Sequence, residues 1–311
     1  MDLFPEEGYS SELPALAFSS EVWKARAFNE PTLALESAVI THGLPRPHNL
    51  ELALAVEEEA RRLQVTPATI AVMDGKVRVG LTRAELERLA NAEQTRKISR
   101  RDFGLALARG EMGGTTVAAT LIAARLAEIR VFATGGIGGV HRDAPFDVSA
   151  DLPELAHSPL IVVCAGAKSI LDLPATLEYL ETLGVPVIGY RTREFPAFFS
   201  AESGLPVTES VDSTEEIVKI ARAHWSMKLE SALLVVQPPT AEEALPRHQV
   251  EQAIRQALGE AYQQGIRGAA VTPFLLSRVA ELSGGDSLRA NLALLRNNAR
   301  LGAEIARSMA E

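Results

Sequence analysis

The chain has 311 residues, 47% of them hydrophobic and only 5% aromatic, and its formal net charge is −9. A core built mainly from Ala, Leu, Val and Ile favours an α/β protein. The negative charge opposes binding to a nucleic-acid backbone but is compatible with a small anionic substrate. The single cysteine, Cys164, excludes a disulfide framework and a CxxC metal site.

The amino-terminal stretch MDLFPEEGYSSELP lacks the basic region and apolar core of a secretory signal. No window of the sequence approaches the length of a membrane span. We therefore expect a soluble, cytoplasmic protein without nucleic-acid or membrane partners. Because no internal repeat or clear linker is visible, we expect one domain over residues 1–311, with residues 1–12 as a flexible tail.

The first strand-like segment, residues 33–41, contains one acid, Glu36. A carboxylate in an apolar run is costly unless it is paired or used in chemistry, so Glu36 is a candidate general acid. Alternatively, it lies on the solvent face of an edge strand. His42 and His48 flank the proline-bent loop that follows. They either bind a ligand or are ordinary surface residues, which is the commoner outcome for isolated loop histidines.

Local signals predict the next elements. Asn49 is suited to cap a helix that ends near Leu63. The dipeptide Asp74-Gly75 between two apolar runs predicts a hairpin, and Thr82 with Glu85 forms a capping box.

Two segments are candidates for anion binding. The first is RKISRRD, whose cations either neutralise a phosphate or form an ordinary surface cluster: Arg96, Lys97, Arg100 and Arg101. The second is residues 113–116, which precede a predicted helix over residues 117–127. Unpaired amides at a helix N-terminus form a ready anion site.

A short predicted strand, residues 129–133, runs into GGIGG at residues 135–139. Four glycines in five residues let the backbone approach a ligand closely, or serve only a tight connection. The dinucleotide fingerprint is incomplete because His141 occupies the position of its third glycine. A Rossmann dehydrogenase is therefore excluded.

The segment FDVSADLPELAHSPLIVVCAGAKSILD combines carboxylates, a serine and a lysine. Residues 160–164 are typical of a strand buried on both faces, and Lys168 lies where that strand ends. A lysine at such a position can act as a nucleophile toward a carbonyl carbon. We expect the polar turn with Asp147, Ser149 and Asp151 to fold back toward it. Alternatively, Lys168 extends into water and the aspartates cap a turn.

A helix over residues 174–184 and a strand over residues 185–190 then complete a βαβ unit, so the sheet is at least partly parallel. Ser287 is predicted to cap the last helix. That helix contains three poor helix formers: Asn291, Asn297 and Asn298. An amide directed at a ligand would explain such a residue, whereas we expect Asn298 to be tolerated on the surface.

Many separate motifs follow one another in a family-specific order. They are LESAVITHGLPRP, KISRRD, GGTTVAAT, FATGGIGGVHR, DVSADL, VCAGAKSILD, GVPVIGYRT, TPFLL and NNARLGA. Together they resemble the pseudouridine-5'-phosphate glycosidase family, with the indigoidine-A-like fold, over residues 33–303. One departure is VVQPPTAEEAL, where the family more often has Asn-Pro, so the role of the Gln237-Pro238-Pro239 loop is open.

The resemblance implies a three-layer α/β/α fold with a mixed, partly parallel central sheet, a homotrimer and a divalent metal, typically Mn²⁺. It also implies reversible cleavage of the C–C glycosidic bond of pseudouridine 5'-phosphate to uracil and ribose 5-phosphate through a lysine Schiff base. Two rivals stay open: a Schiff-base lyase or aldolase acting on another phosphosugar, and a non-catalytic phosphosugar-binding regulator.

By motif, the resemblance implies that Glu36 is the proton donor, Lys168 the covalent nucleophile and Asp147 the metal ligand. The substrate-binding positions it implies are Lys97, Thr116, Val117, His141, Ser149, Ala150, Asp151 and Asn291.

Overall fold

The computed structural model describes residues 15–142, 144–267 and 271–310, without the side chain of Pro145. The chain divides into two compact units. The first unit comprises Met1–Ala133, Ser158–Ile161 and Ala299–Glu311, and the second comprises Thr134–His157 and Val162–Asn298. The expected flexible tail, residues 1–12, lies outside the described residues. The single-domain organisation stays a prediction.

The first unit alternates strands and helices. Its strands are β1 (Leu16–Phe18), β2 (Thr32–Leu35), β3 (Thr66–Met73), β4 (Lys76–Val79), β5 (Arg96–Ile98), β6 (Gly113–Thr115) and β7 (Val131–Ala133). Its helices are α1 (Ser20–Ala27), α2 (His48–Arg62), α3 (Arg83–Asn91), α4 (Phe103–Arg109) and α5 (Val117–Leu126), with a π-helical turn at Val39–Gly43 and a 3₁₀ turn at Arg100–Asp102.

The sheet of the first unit is mixed, with strand order β1-β4-β3-β2-β7. Strand β2 is parallel to both β3 and β7, whereas β3 is antiparallel to β4 and β6. Strand β5 pairs in parallel with β6. Beneath this sheet, α2 and α3 pack through a buried cluster that includes Ala53, Met73, Leu86 and Leu89.

The predicted strand over residues 33–41 is shorter than expected. Strand β2 ends at Leu35, which pairs with Thr69, and β6 pairs with β3 from Ala71 onward. Because β6 takes over that edge of β3, the chain after Leu35 leaves the sheet and turns. Glu36 therefore lies at the carboxyl end of β2 and not within a strand.

Most local signals in this unit are confirmed. Asp74 and Gly75 both have positive φ and join β3 to β4, and the capping box of Thr82 and Glu85 starts α3. The prediction for Asn49 was wrong, because Pro47 is the N-cap of α2. Instead, the buried Asn49 amide donates to the carbonyl oxygens of Ile40 and Ala90, each at 3.0 Å.

The second unit contains two sheets. One has the order β10-β14-β12-β13 and the other the order β11-β8-β9. The strands are β8 (Val140–His141), β9 (Ala144–Val148), β10 (Ile161–Cys164), β11 (Leu171–Asp172), β12 (Val187–Tyr190), β13 (Glu209–Val211) and β14 (Leu233–Val236). The helices are α6 (Asp151–Leu155), α7 (Leu173–Thr182), α8 (Thr214–Ser226), α9 (Arg247–Gln263), α10 (Val271–Leu282) and α11 (Asp286–Ala310), whose residues from Ala299 onward belong to the first unit.

Strands β10 and β14 are apolar and buried along their whole length, as expected for strands covered on both faces. Strand β12 is parallel to β13 and β14, whereas the small sheet is antiparallel. The predicted α/β class, with a mixed and mostly parallel sheet flanked by helices, is confirmed. None of the described helices is long and apolar enough to cross a membrane.

Two predictions about secondary structure in the second unit were wrong. Asp147 lies in β9 and not in a turn, because β9 pairs with β8 as an antiparallel strand. Ser287 lies inside α11, which begins at Asp286, and its backbone N–H donates to Ser283 Oγ at 3.1 Å.

Candidate active site

Four of the predicted site residues lie in the first unit: Glu36, Lys97, Thr116 and Val117. Lys97 on β5 pairs in register with Gly114 on β6. Thr116 follows β6 directly and caps α5, since its Oγ1 accepts from the Ala119 N–H at 3.4 Å. Half-buried Lys97 therefore lies on the strand beside β6, and α5, whose first helical residue is Val117, begins just after the carboxyl end of β6.

Ser37 holds Glu36 at this end of β6. The buried Ser37 hydroxyl donates to Ile70 O, and it accepts from the Thr115 N–H at 3.0 Å. The Ser37 N–H in turn donates to Thr115 O at 3.3 Å. Because Glu36 precedes Ser37 and Thr116 follows Thr115, these bonds bring the candidate general acid beside the start of α5. Glu36 itself is half-buried.

His42 and His48 are both half-buried, and His48 pairs with Glu51. The Nδ1 atom of His42 lies 2.7 Å from Thr41 Oγ1. Burial, and then the positive charge of Lys97, lower the pKa of His42 below its ordinary value. A neutral imidazole therefore lies beside Lys97 at neutral pH.

The other predicted site residues lie in the second unit, around residues 135–139, which we call the glycine segment. Three of them, Ser149, Ala150 and Asp151, follow β9. The buried Asp151 carboxylate accepts from the Gly138 N–H at 2.8 Å. The Ser149 N–H donates to Gly139 O at 3.0 Å, and Ser149 Oγ accepts from the Asp151 N–H at 3.2 Å. Ala150 is exposed between them.

This packing accounts for the glycine at position 138. A Cβ there would lie 2.2 Å from Ser149 Oγ and 2.7 Å from Asp151 Oδ2. Only glycine lets the backbone come this close to the two polar side chains. The close backbone approach predicted for the glycine segment is thus made to the side chains of Ser149 and Asp151.

Lys168 follows β10 and is joined to the same glycine segment. Its N–H donates to Ile137 O at 3.1 Å, and the Ile137 N–H donates to Gly166 O at 3.1 Å. Gly166 has a φ of +85°, and a Cβ there would lie 2.2 Å from Pro196 O. The backbone of Lys168 and the side chain of Asp151 thus bind neighbouring residues, Ile137 and Gly138, so the polar segment folds back toward Lys168 as expected.

Asp147 is exposed on β9, and His141 on β8 is half-buried and pairs with Leu171. Among the described residues, no group of three or more His, Cys, Asp or Glu side chains is arranged to hold a metal ion. Cations such as Mg²⁺ often use one or two carboxylates together with water and substrate phosphate. Asp147 fits a site of that open kind and not a cage built from protein side chains.

Helix α11 contributes to the site region through one stripe of residues. Leu294 and Leu295 approach Gly135, since a Cβ on that glycine would lie 3.1–3.3 Å from their side chains. Asn291 is half-buried and precedes them by three and four residues, on the same helical face.

Asn298 lies on this stripe too and is only 1% exposed, so the expectation that it is a surface residue was wrong. Its Nδ2 donates to Thr134 O at 2.8 Å and to Gly135 O at 3.3 Å. Its Oδ1 accepts from Gln237 Nε2 at 3.0 Å, which gives the unusual Gln237 a structural role. The signal available in the sequence was the poor helix propensity of Asn298 within a strongly amphipathic helix.

Sequence reasoning also missed Arg142, the last residue of FATGGIGGVHR. Its guanidinium forms a bidentate pair with Glu251 of α9, with both N···O distances at 2.8 Å. The hydrogen bonds from Arg142 hold the pKa of the Glu251 carboxyl below its ordinary value. The only available signal was a cation that directly follows the glycine segment and β8.

Comparison with known proteins places this chain in a family. A model of the family described as "Indigoidine synthase A like protein" matches residues 21–308. A pseudouridine-5'-phosphate glycosidase of Caldanaerobacter subterraneus is 52% identical over 290 residues, covering 93% of this chain and 94% of the relative. One from Paracoccus denitrificans is 54% identical, covering 96% and 99% of the two chains.

Solved structures agree with these relatives. The prealnumycin C-glycosynthase AlnA, solved in complex with ribulose 5-phosphate, superposes with a TM-score of 0.88 at 41% identity and covers 95% of this chain and 97% of its own. An indigoidine synthase A-like protein from Thermotoga maritima superposes with a TM-score of 0.85 at 38% identity, covering 90% and 94%. The chain therefore belongs to the indigoidine synthase A like protein family.

Proposed function

We propose that this chain is a pseudouridine-5'-phosphate glycosidase, which reversibly cleaves the C–C bond between uracil and ribose 5-phosphate. The observation that carries the proposal is Lys168, a half-buried lysine held through its backbone at the end of a fully buried strand. The proposal is further supported by the two relatives of that name, which are 52% and 54% identical to this chain over nearly its whole length.

The chemistry requires a lysine because a C–C glycosidic bond has no oxygen or nitrogen leaving group to protonate. In the proposed reaction the C1'–O4' bond breaks, O4' takes a proton, and Lys168 Nζ bonds to C1'. The C1'–C5 bond then breaks, its electron pair stays on C5 of the pyrimidine, and C5 takes a proton to give uracil. The nitrogen lone pair forms C1'=N, and water hydrolyses this Schiff base to ribose 5-phosphate and free lysine.

Glu36 is the proposed proton donor for these steps, held by the bonds of Ser37. Lys97 and the start of α5 are the proposed partners of the 5'-phosphate, since a cation and helix amides favour an anion. The remaining proposed substrate contacts are Val117, His141, Ser149, Ala150, Asp151 and Asn291.

Asp147 is the proposed ligand of a divalent cation, for which we propose Mn²⁺. When bound, the ion would supply positive charge toward phosphate and sugar oxygens. The Asp147→Asn variant should bind Mn²⁺ more weakly in the presence of ribose 5-phosphate, as measured by titration calorimetry. Equal affinity in the variant and the unmodified protein would reject Asp147 as the ligand.

The decisive experiment is to trap the protein with borohydride in the presence of ribose 5-phosphate and to map the adduct by mass spectrometry. We expect one sugar-phosphate adduct on Lys168, absent from Lys168→Ala and retained in Lys219→Ala, which removes an exposed lysine of the same unit. Uracil release from pseudouridine 5'-phosphate is measured in parallel. Turnover retained by Lys168→Ala, without an adduct, would reject the mechanism.

A second candidate is C-glycoside chemistry on a pentose phosphate with another ring system. It is favoured by the likeness to the C-glycosynthase AlnA, although that protein is only 41% identical. An adduct on Lys168 without uracil release would select this candidate or another Schiff-base lyase. Ligand binding unaffected by Lys168→Ala, without any adduct in the unmodified protein, would select a non-catalytic regulator.

We further propose a homotrimer. Light scattering coupled to gel filtration should give three times the mass of one chain, and a monomer mass would reject the proposal. The cytoplasmic location stays a prediction.

A further inference from the structure

The turn that carries Lys168 is held mainly by backbone hydrogen bonds. The Leu171 N–H donates to Lys168 O at 3.0 Å and closes the turn, and the Lys168 N–H donates to Ile137 O. The side chain of the next residue, Ser169, is buried, and its Oγ makes no hydrogen bond with any residue that the structure describes. Besides these backbone bonds, the turn is held by a side chain that binds its carbonyl oxygens.

Arg142 binds two of those carbonyl oxygens. Its Nη2 donates to Ser169 O at 2.8 Å and its Nε donates to Leu171 O at 3.1 Å. The carbonyls belong to the first and third residues after Lys168. The planar guanidinium has its donors in a fixed arrangement, so binding both oxygens at once fixes their separation and orientation.

Glu251 of α9 holds the same guanidinium from the other side through its two carboxylate oxygens. Arg142 is thus fixed at four donor–acceptor contacts and links the Lys168 turn to a long helix. The Arg142 side chain is only 21% exposed, so water competes weakly for these donors. A bidentate pair of this kind is stronger and more specific in geometry than a single contact.

We infer that Arg142, paired with Glu251, is a positioning residue that sets the orientation of Lys168 for its attack on C1'. The inference rests on the proposed function. Arg142 acts through the backbone of the Lys168 turn, and a misplacement of about 1 Å at a reacting group can cost about 100-fold in rate.

The same unit offers a matched control. Arg278 pairs in a bidentate manner with Glu260, and the two side chains are 30% and 26% exposed, compared with 21% and 34% for Arg142 and Glu251. Arg278→Lys therefore removes a comparable forked contact between α9 and α10, keeps the charge, and leaves the Lys168 turn intact.

The test measures the rate of adduct formation on Lys168 with ribose 5-phosphate in unmodified protein, Arg142→Lys and Arg278→Lys. Lysine keeps the charge but not the forked geometry. We expect Arg142→Lys to slow adduct formation by about 10- to 100-fold. The ribose 5-phosphate concentration for half-maximal trapping should stay unchanged, and Arg278→Lys should remain within about twofold of the unmodified protein. Equal rates in the two variants would overturn the inference.

Two further readouts keep the test decisive. Glu251→Gln leaves Arg142 in place but removes its counter-charge, and we expect it to slow trapping by an intermediate factor. Hydrogen exchange of the Leu171 amide should become faster in Arg142→Lys and not in Arg278→Lys. This measurement needs no sugar chemistry, so unchanged exchange rejects the positioning role, whereas the absence of an adduct in unmodified protein rejects the proposed function.

Discussion

Replacing Asn298 with alanine should destabilise the protein more than a typical polar substitution. The side chain is 1% exposed, donates to Thr134 O and Gly135 O, and accepts from Gln237. A buried polar group left without its partner costs about 1–3 kcal/mol. Because Asn298→Ala removes all three hydrogen bonds of a buried side chain, we expect the free energy of unfolding to fall by about 3 kcal/mol.

The adjacent Asn297 is a matched control. Its Nδ2 donates to Glu243 Oε2 at 2.9 Å, but Glu243 also accepts from Thr240 Oγ1 and keeps that bond in the variant. We expect Asn297→Ala to cost about 1 kcal/mol, the value of one ordinary hydrogen bond. Both substitutions replace asparagine with a better helix former in the same helix, so helix propensity contributes equally.

The assay is equilibrium unfolding in urea, followed by circular dichroism, for both single variants, Gln237→Ala and the Gln237→Ala/Asn298→Ala double variant. Since Gln237 and Asn298 share a bond, their effects should not add, and we expect a coupling free energy of about 1 kcal/mol. If Asn298→Ala costs no more than Asn297→Ala, the buried amide does not stabilise the start of the glycine segment and the reasoning is refuted.

Three other outcomes follow from the structure. Gly138→Ala should lower glycosidase activity by about 100-fold, because the new Cβ displaces the side chains of Ser149 and Asp151 that pack there. As a control, the new Cβ of Gly259→Ala meets no atom within 4 Å, and the activity of this variant should stay within about twofold of that of the unmodified protein. Cys164 should resist alkylation at pH 8 in the folded protein and react in urea, since burial raises the pKa of its thiol to about 12; rapid labelling of native protein would contradict this. The pKa of His42, followed by NMR, should lie below its ordinary value and should rise in Lys97→Met. Because the folded state lowers this pKa, protonation of His42 destabilises the fold as the pH falls below about 6.5. An unchanged pKa in Lys97→Met would exclude the charge effect.

Local signals in the sequence predicted the elements whose cause is local. The hairpin at Asp74-Gly75 requires positive φ at two adjacent residues, and the cap of α3 needs only a hydroxyl beside the first helical turn. In each case the residues that determine the structure are within a few positions of one another. The fully buried strand β10 was predictable for the same reason, as a continuous apolar run.

The errors came from partners that are distant in the sequence. Asn49 was expected to cap its own helix, but its amide bonds to the carbonyl of Ala90, 41 residues away. Asn298 bonds to Thr134, 164 residues away, and no local pattern indicates such a partner. The end of β2 at Leu35 likewise depends on β6, which takes the neighbouring edge of β3.

The candidate site was predicted unevenly. Residue chemistry indicated Glu36 and Lys168 as reactive groups, and the family resemblance supplied the substrate positions. The groups that hold these residues in place were not predicted, because Ser37 and Arg142 act through backbone atoms of other segments. Because every residue has a backbone carbonyl oxygen, such a hydrogen bond does not restrict which amino acid accepts it, and the sequence carries no signal of it.

That same property makes the surroundings of Lys168 suitable for protein engineering. Every amino acid supplies the carbonyl oxygens that Arg142 binds at positions 169 and 171, so side chains there can be exchanged without deleting an acceptor. Libraries of small residues at Ser169 and of apolar residues at Leu171 would therefore vary the buried side chains of the Lys168 turn while retaining its support. Selection for new aglycones could begin at these two positions, with Arg142 and Glu251 kept constant.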